Sequence, residues 1–208
     1  MILYLIRHAK DDDSIRGGWS HHSLTEEGRQ QARLLAEFIK KQENNFEIKK
    51  IYSSDLPRAM ETAAEISKLL KLPIRPTPEF REVNNGDLAG MKHEIAAEKY
   101  PDLYWNLMDW TQAYPNGESP KAFYERISSA WFEFSASLSQ RNENCILVTH
   151  GGVLQVITSI VNSTPYSNQY STRRYKPCEI IPLTFEGSSW AEIALVNKNW
   201  THRNKKVK

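Results

Sequence analysis

The chain has 208 residues, enough for one domain with a substantial core. Hydrophobic content of 40% beside 25% charged residues is ordinary globular chemistry and excludes global disorder. A formal net charge of +2 supplies no field for nucleic acid or a membrane surface, and no stretch approaches the roughly 20 apolar residues of a membrane span.

The first apolar run, Ile2–Ile6, reads as a buried strand that stops at Arg7-His8. Its shortness, and the lack of a basic stretch before it, argue against a secretory signal. "SLTEEGRQQARLLAEFIKK" reads as a helix, with Glu26 and Glu27 after Thr25 in its first turn, and Ala32, Leu35, Ala36 and Ile39 as its apolar stripe. "IKKIYSS" reads as a second strand. "DLPRAMETAAEISKLLK" reads as a helix, with Pro57 near its start and Ala59, Ala63, Ile66 and Leu70 on one face. Residues 95–138 are dense in aromatics, and Ser119-Pro120 marks an N-cap with proline behind it. Phe123, Ile127, Ala130, Trp131, Phe134 and Leu138 then recur at helical spacing, more as core than as substrate wall. This region predicts a helical cap insertion, bounded at about 92–120. "CILVTHGGVLQVITSIV" returns to strand, turn and helix, and two strands joined by a glycine-containing turn follow.

The order predicts an α/β fold: a mostly parallel central sheet flanked by helices, with the cap, in a single domain over 1–208. Cys145 and Cys178 lack CxxC spacing, and Cys145 opens an apolar run, which fits a reducing, cytoplasmic setting. The basic run "HRNKKVK" reads as a solvated end.

Two strands end in chemistry: the first at Arg7-His8, the other at His150-Gly151-Gly152, while Arg58 stands in the first turn of a helix. Open α/β sheets bind ligands beyond the carboxyl ends of their strands. Two arginines can clamp phosphoryl oxygens, and a helix start behind two glycines favours anions. Arginine cannot attack phosphorus, but a neutral imidazole with an unperturbed pKa of roughly 6.5 can.

The stretches "LIRHAK", "SLTEEGRQQA", "SSDLPRAMETA", "FREVNNGDLAG", "PNGES" and "VTHGG", in this order over about residues 2 to 155, resemble the histidine phosphatase superfamily, in its phosphoglycerate-mutase-like branch. The resemblance implies that His8 is the phosphorylated nucleophile and that Arg7, Arg58 and His150 hold the phosphoryl group. It implies that Glu82 protonates the leaving oxygen and then activates water, with Ser14 and Gly151 completing the substrate site. It implies no metal and no organic cofactor, a small phosphorylated metabolite as substrate, and no nucleic-acid or membrane partner; homo-oligomerisation stays open. Three positions depart from the pattern. Ala9 replaces a commoner glycine, Asp11 stands where serine or threonine is frequent, and Val83 replaces an arginine typical of cofactor-dependent mutases. A phosphomonoesterase is therefore the first expectation and a cofactor-dependent phosphoglycerate mutase the second. A phosphohistidine-protein phosphatase is a third, disfavoured by the aromatic cap, and a catalytically silent phospho-ligand binder stands from another class.

Blander roles are weighed beside these. Arg58 could pair with Glu61 or Glu65, Glu82 with Arg81, and His150 could be structural. His21, His22 and His93 lack metal-site spacing. Trp105, Trp110 and Tyr114, off the stripe, are expected nearer the site. Asp11, Asp12 and Asp13 are expected either as a solvated loop or as a rim that penalises substrates bearing a carboxylate.

Overall fold

In a computed structural model, residues 1–170 and 173–195 are described; the basic run from His202 lies outside them. Six strands form one sheet: β1 (Ile2–Arg7), β2 (Lys50–Ser53), β3 (Ile74–Pro76), β4 (Cys145–Thr149), β5 (Ile180–Glu186) and β6 (Ser189–Glu192). Their spatial order is β3-β2-β4-β1-β5-β6. The pairs β2–β3, β2–β4 and β1–β4 are parallel, while β1–β5 and β5–β6 are antiparallel.

β1 is apolar or aromatic from Ile2 to Ile6 because both faces are covered. Leu3 and Leu5 face one cluster with Leu147, packed under α5 (Pro120–Ser139) and α6 (Gly151–Val161). Tyr4 and Ile6 face the other with Ile146 and Val148, under α1 (Glu26–Lys41) and α3 (Pro57–Leu70). α1 starts where expected: the Thr25 hydroxyl accepts from the Gly28 N–H at 3.1 Å, and Ala32, Leu35, Ala36 and Ile39 are buried. α5 likewise starts at Ser119, whose hydroxyl accepts from the Ala122 N–H at 3.1 Å, with Pro120 in the first turn.

Two features differ from the expectation. β3 forms around Pro73 and Pro76, residues that suppress a strand reading; it lies at the sheet edge, where a missing N–H is tolerated. Within 92–120, helix is confined to α4 (His93–Lys99), which stops before Pro101; after it the chain runs through turns. Leu88, Ala96, Met108 and Tyr114 give that segment a small core of its own. A four-residue helical turn, α2 (Glu43–Phe46), follows α1. Among the described residues no helix is long and apolar enough to cross a membrane.

Candidate active site

Parallel pairing puts Arg7 opposite Thr149, so the next residues, His8 and His150, leave neighbouring strands at one sheet edge. The His8 N–H donates to the Thr149 carbonyl at 2.9 Å, extending the ladder by one step. The two imidazoles stand 5.1 Å apart between centroids. Arg58 reaches the same point from the first turn of α3. All three are nearly sealed from solvent: His8 is 3% exposed, Arg58 2% and His150 0%.

The hydrogen bonds fix the chemistry of His8. Its Nδ1 lies 2.7 Å from the Ala9 carbonyl, which can only accept, so Nδ1 carries the proton. Nε2 therefore keeps its lone pair, and Arg58 Nε donates to it at 3.3 Å. Burial, then Arg58 and Arg7, hold the imidazole well below its usual pKa, against the smaller opposite pull of the Ala9 bond. His150 is held down by burial first, then by Arg58, His8, Arg7 and Arg126. The site thus presents an imidazole held neutral, with a lone pair on Nε2, among guanidinium groups.

Arg58 is anchored by carbonyls: Nη2 donates to Gly18 O at 2.7 Å and Nη1 to Ser20 O at 3.4 Å. Its carboxylate neighbour is Asp11, with Oδ2 at 3.4 Å from Nε. The alternatives Glu61 and Glu65 are not its partners; Glu61 faces Arg29 and the Leu24 N–H. His150 Nε2 lies 2.8 Å from the Ser54 hydroxyl, at the end of β2. Arg7 Nη1 donates to the Tyr175 carbonyl at 2.7 Å. Arg7 Nε and His150 Nδ1 are buried polar atoms without a hydrogen-bond partner among the described residues.

Glu82 comes in from the opposite side. Its Oε2 accepts from the Gly152 N–H at 3.0 Å and its Oε1 from the Val83 N–H at 3.1 Å. The first turn of α6, which opens on the glycine pair, therefore holds a carboxylate of the chain itself. A Cβ on Gly152 would come within 2.4 Å of Glu82 Oε1, so glycine there makes room for this side chain. A Cβ on Gly151 would meet Arg7 Nε at an ordinary 3.7 Å. Glu82 is not a partner of Arg81, whose Nε bonds Asp55 at 2.6 Å. Its backbone is clamped instead: Trp19 Nε1 donates to Glu82 O at 2.6 Å and Arg126 Nη2 at 3.1 Å. Arg126 is itself gripped by Glu118, at 2.6 and 2.9 Å.

A cleft of about 340 Å³ opens from this point, with Arg7, Glu82 and Gly151 on its floor. Val83, Trp105 and Phe123 form an apolar wall, and Arg174 stands on the rim. Of the off-stripe aromatics, Trp105 faces the cleft, Tyr114 is buried in the small core, and Trp110 is exposed against Tyr124 and Tyr166. The three aspartates separate in role. Asp11 turns inward to Arg58, Asp12 accepts from the Ser14 N–H at 2.9 Å, and Asp13 is exposed. None of them lines the cleft. Ser14 is exposed, its carbonyl accepts from the His93 N–H at 3.1 Å, and it does not line the cleft. Among the described residues, no group of three or more His, Cys, Asp and Glu side chains gathers as a metal site.

The model of the histidine phosphatase superfamily, branch 1, matches residues 3–198. The chain belongs to this superfamily. It is 30% identical over 186 residues to the adenosylcobalamin/alpha-ribazole phosphatase of Escherichia coli, covering 86% of this chain and 87% of that one. It is 28% identical over 165 residues to the 2,3-bisphosphoglycerate-dependent phosphoglycerate mutase of Bartonella henselae, covering 74% and 78%. The crystal structure of the alpha-ribazole phosphatase from Shigella flexneri superposes with a TM-score of 0.79 at 25% identity, over 93% of this chain and 95% of that one. Both outcomes of the phosphohistidine chemistry, transfer to water and transfer to a second hydroxyl, thus occur among the relatives' names.

Four residues around the site escape a sequence reading: Ser54, Asp11 as partner of Arg58, the Tyr175 carbonyl, and Arg126. Ser54 alone had a signal, since it follows a strand at the sheet edge where the histidines emerge.

Proposed function

We propose that the chain is a phosphatase that hydrolyses a small phosphomonoester through a phosphohistidine on Nε2 of His8. The supporting observation is the tautomer: Nδ1 is committed to the Ala9 carbonyl, so Nε2 keeps its lone pair, which meets the Nε–H of Arg58. Nε2 forms the P–N bond while the ester P–O bond breaks, and protonated Glu82 gives its proton to the leaving oxygen. The Glu82 carboxylate then takes a proton from water, whose oxygen displaces the imidazole and leaves as inorganic phosphate. Arg7, Arg58, His150 and the backbone of Gly151 bear the charge of the three equatorial oxygens. The leaving group occupies the cleft against Val83, Trp105 and Phe123. Val83 contributes apolar wall where a mutase would place a cation, which favours water over phosphoglycerate as acceptor. His8, Arg58 and His150 are all present, so a silent binder is not favoured.

The thiols of Cys145 and Cys178 are both buried, and burial pushes each up to about 12, which suits a reducing, cytoplasmic setting. The test is trapping with a labelled phosphate ester. The label should be acid-labile and alkali-stable, and His8→Ala should abolish both label and turnover. A label on serine, or full activity in His8→Ala, rejects the mechanism. Phosphoryl transfer to phosphoglycerate at a rate exceeding that to water would make the enzyme a mutase instead.

A further inference from the structure

We infer that Asp11 competes with the phosphoryl group for Arg58 and keeps the site's grip on inorganic phosphate weak, an inference that rests on the phosphohistidine reading above. A guanidinium that is 2% exposed needs a counter-charge, because an unpaired buried ion is costly. Two of the three Arg58 nitrogens are engaged by the Gly18 and Ser20 carbonyls. The single N–H on Nε donates to His8 Nε2 at 3.3 Å, while Asp11 Oδ2 stands 3.4 Å from the same nitrogen as its ion-pair partner. The nitrogen that meets the lone pair of His8 is therefore also the one that faces a carboxylate.

A phosphoryl group bonded to Nε2 brings its own negative oxygens to that same N–H. Arg58 then has a second counter-ion, and Asp11 becomes a like charge beside it. The Asp11 side chain is 23% exposed, so it can turn toward water as the phosphoryl group enters. Its backbone stays fixed, because Asp11 forms an isolated bridge with Leu24. Arg58 does not depend on Asp11 for its orientation, since the two carbonyls hold both terminal nitrogens. The net effect of the carboxylate on an incoming anion is thus repulsion. Two charges about 5 Å apart at the dielectric of partly buried sites correspond to roughly ten- to a hundredfold in affinity. The benefit is release: a site with two arginines and a buried histidine otherwise retains its phosphate product.

The experiment measures inhibition of nitrophenyl phosphate hydrolysis by inorganic phosphate and by orthovanadate. Wild type is compared with Asp11→Asn and Asp11→Ser, and with Asp13→Asn as an exposed-charge control. Both Asp11 variants should lower the inhibition constant of phosphate about ten- to a hundredfold and lower KM in parallel, with Asp13→Asn within twofold of wild type. Phosphate should also raise the melting temperature of the Asp11 variants more than that of wild type, a readout independent of turnover. An unchanged or raised inhibition constant in both Asp11 variants makes Asp11 an anchor of Arg58 and overturns the inference. An equal gain in Asp13→Asn also overturns it, since the effect would then be the field of the whole loop. If hydrolysis needs His8 and only the phosphate constants fail to move, the fault lies with Asp11 alone. If wild type neither turns over nor binds phosphate, the mechanism itself falls.

Discussion

The two ends of the proposed site are built from different material. At the phosphoryl end, His8 and His150 directly follow the last residues of β1 and β4, Arg58 stands in the first turn of α3, and all three are buried almost completely. At the leaving-group end, Val83, Trp105 and Arg174 come from segments with neither helix nor strand, held by side-chain hydrogen bonds and aromatic packing. Strand register fixes the first end, because moving His8 relative to His150 would break the β1–β4 ladder and both core faces with it. No comparable constraint acts on the second. On the proposed mechanism, the chemistry is carried where strand register holds the backbone, and selection among substrates where it does not.

Glu82 is the joint between the two ends, and its removal should be the largest effect after loss of His8. Glu82→Gln should lower kcat by roughly 10²–10⁴-fold on alkyl phosphates. The loss should shrink on nitrophenyl phosphate, whose leaving group needs little protonation; equal losses on both substrates would leave Glu82 without an acid role. Arg126→Ala should reproduce that dependence on the leaving group at about a tenth of wild-type kcat. Arg126 acts as a positioning residue, gripping the Glu82 backbone without facing the substrate. A uniform loss on all esters would show that Arg126 supports only the fold.

A pH series separates the ends differently. His8 and His150 are held well below their usual pKa by burial and by neighbouring cations. In the unfolded chain they protonate near pH 6.5, whereas in the native state they stay neutral further down. The unfolded state then binds more protons, so stability should fall as pH drops below about 6.5. The same neutrality keeps the nucleophile competent, so the acid limb of kcat/KM should lie below that value. An acid limb centred at 6.5 or above would contradict a buried neutral His8. Neither effect should change with a rim substitution. The smallest effect expected is that of Arg174→Ala: a few-fold loss of kcat/KM on esters carrying a carboxylate and little change on neutral ones. An equal change on both would remove Arg174 from substrate selection, and a preferential gain on the acidic ester would reverse its sign.

The phosphoryl end was legible in the sequence because its residues lie at strand and helix ends, and those boundaries are written in local pattern. Ile2–Ile6, "CILVT" and the Pro57 helix start place Arg7, His8, His150 and Arg58 without tertiary information. Glu82 is different: it follows a proline-rich stretch, and only the family resemblance singles it out. Its hold on Gly152 and its clamp by Arg126 depend on contacts 70 and 44 residues apart, which no local pattern encodes. The aspartate run misleads for a related reason. Charge alone reads as a solvated or repelling rim, while the strand-end geometry turns Asp11 toward a buried cation. The insertion reads as helical from its aromatic density, yet Pro101, Pro115 and Gly117 break it into turns.

The contact between Arg7 and the Tyr175 carbonyl bears on how this enzyme can change over generations. Arg174, on the rim, is the residue next to Tyr175, and both line the cleft. Arg173, one position earlier, ties the segment to Glu179 and Glu192 at 2.7 and 2.6 Å. A mutation that reshapes this rim for a new substrate pulls on the carbonyl that steadies Arg7, the arginine proposed to hold the phosphoryl group. Among the described residues, Val83 and Trp105, which also line the cleft, have no hydrogen bond to Arg7. New specificities should therefore arise first on the Val83–Trp105 side, and reach the 173–175 side only with compensating changes around Arg7.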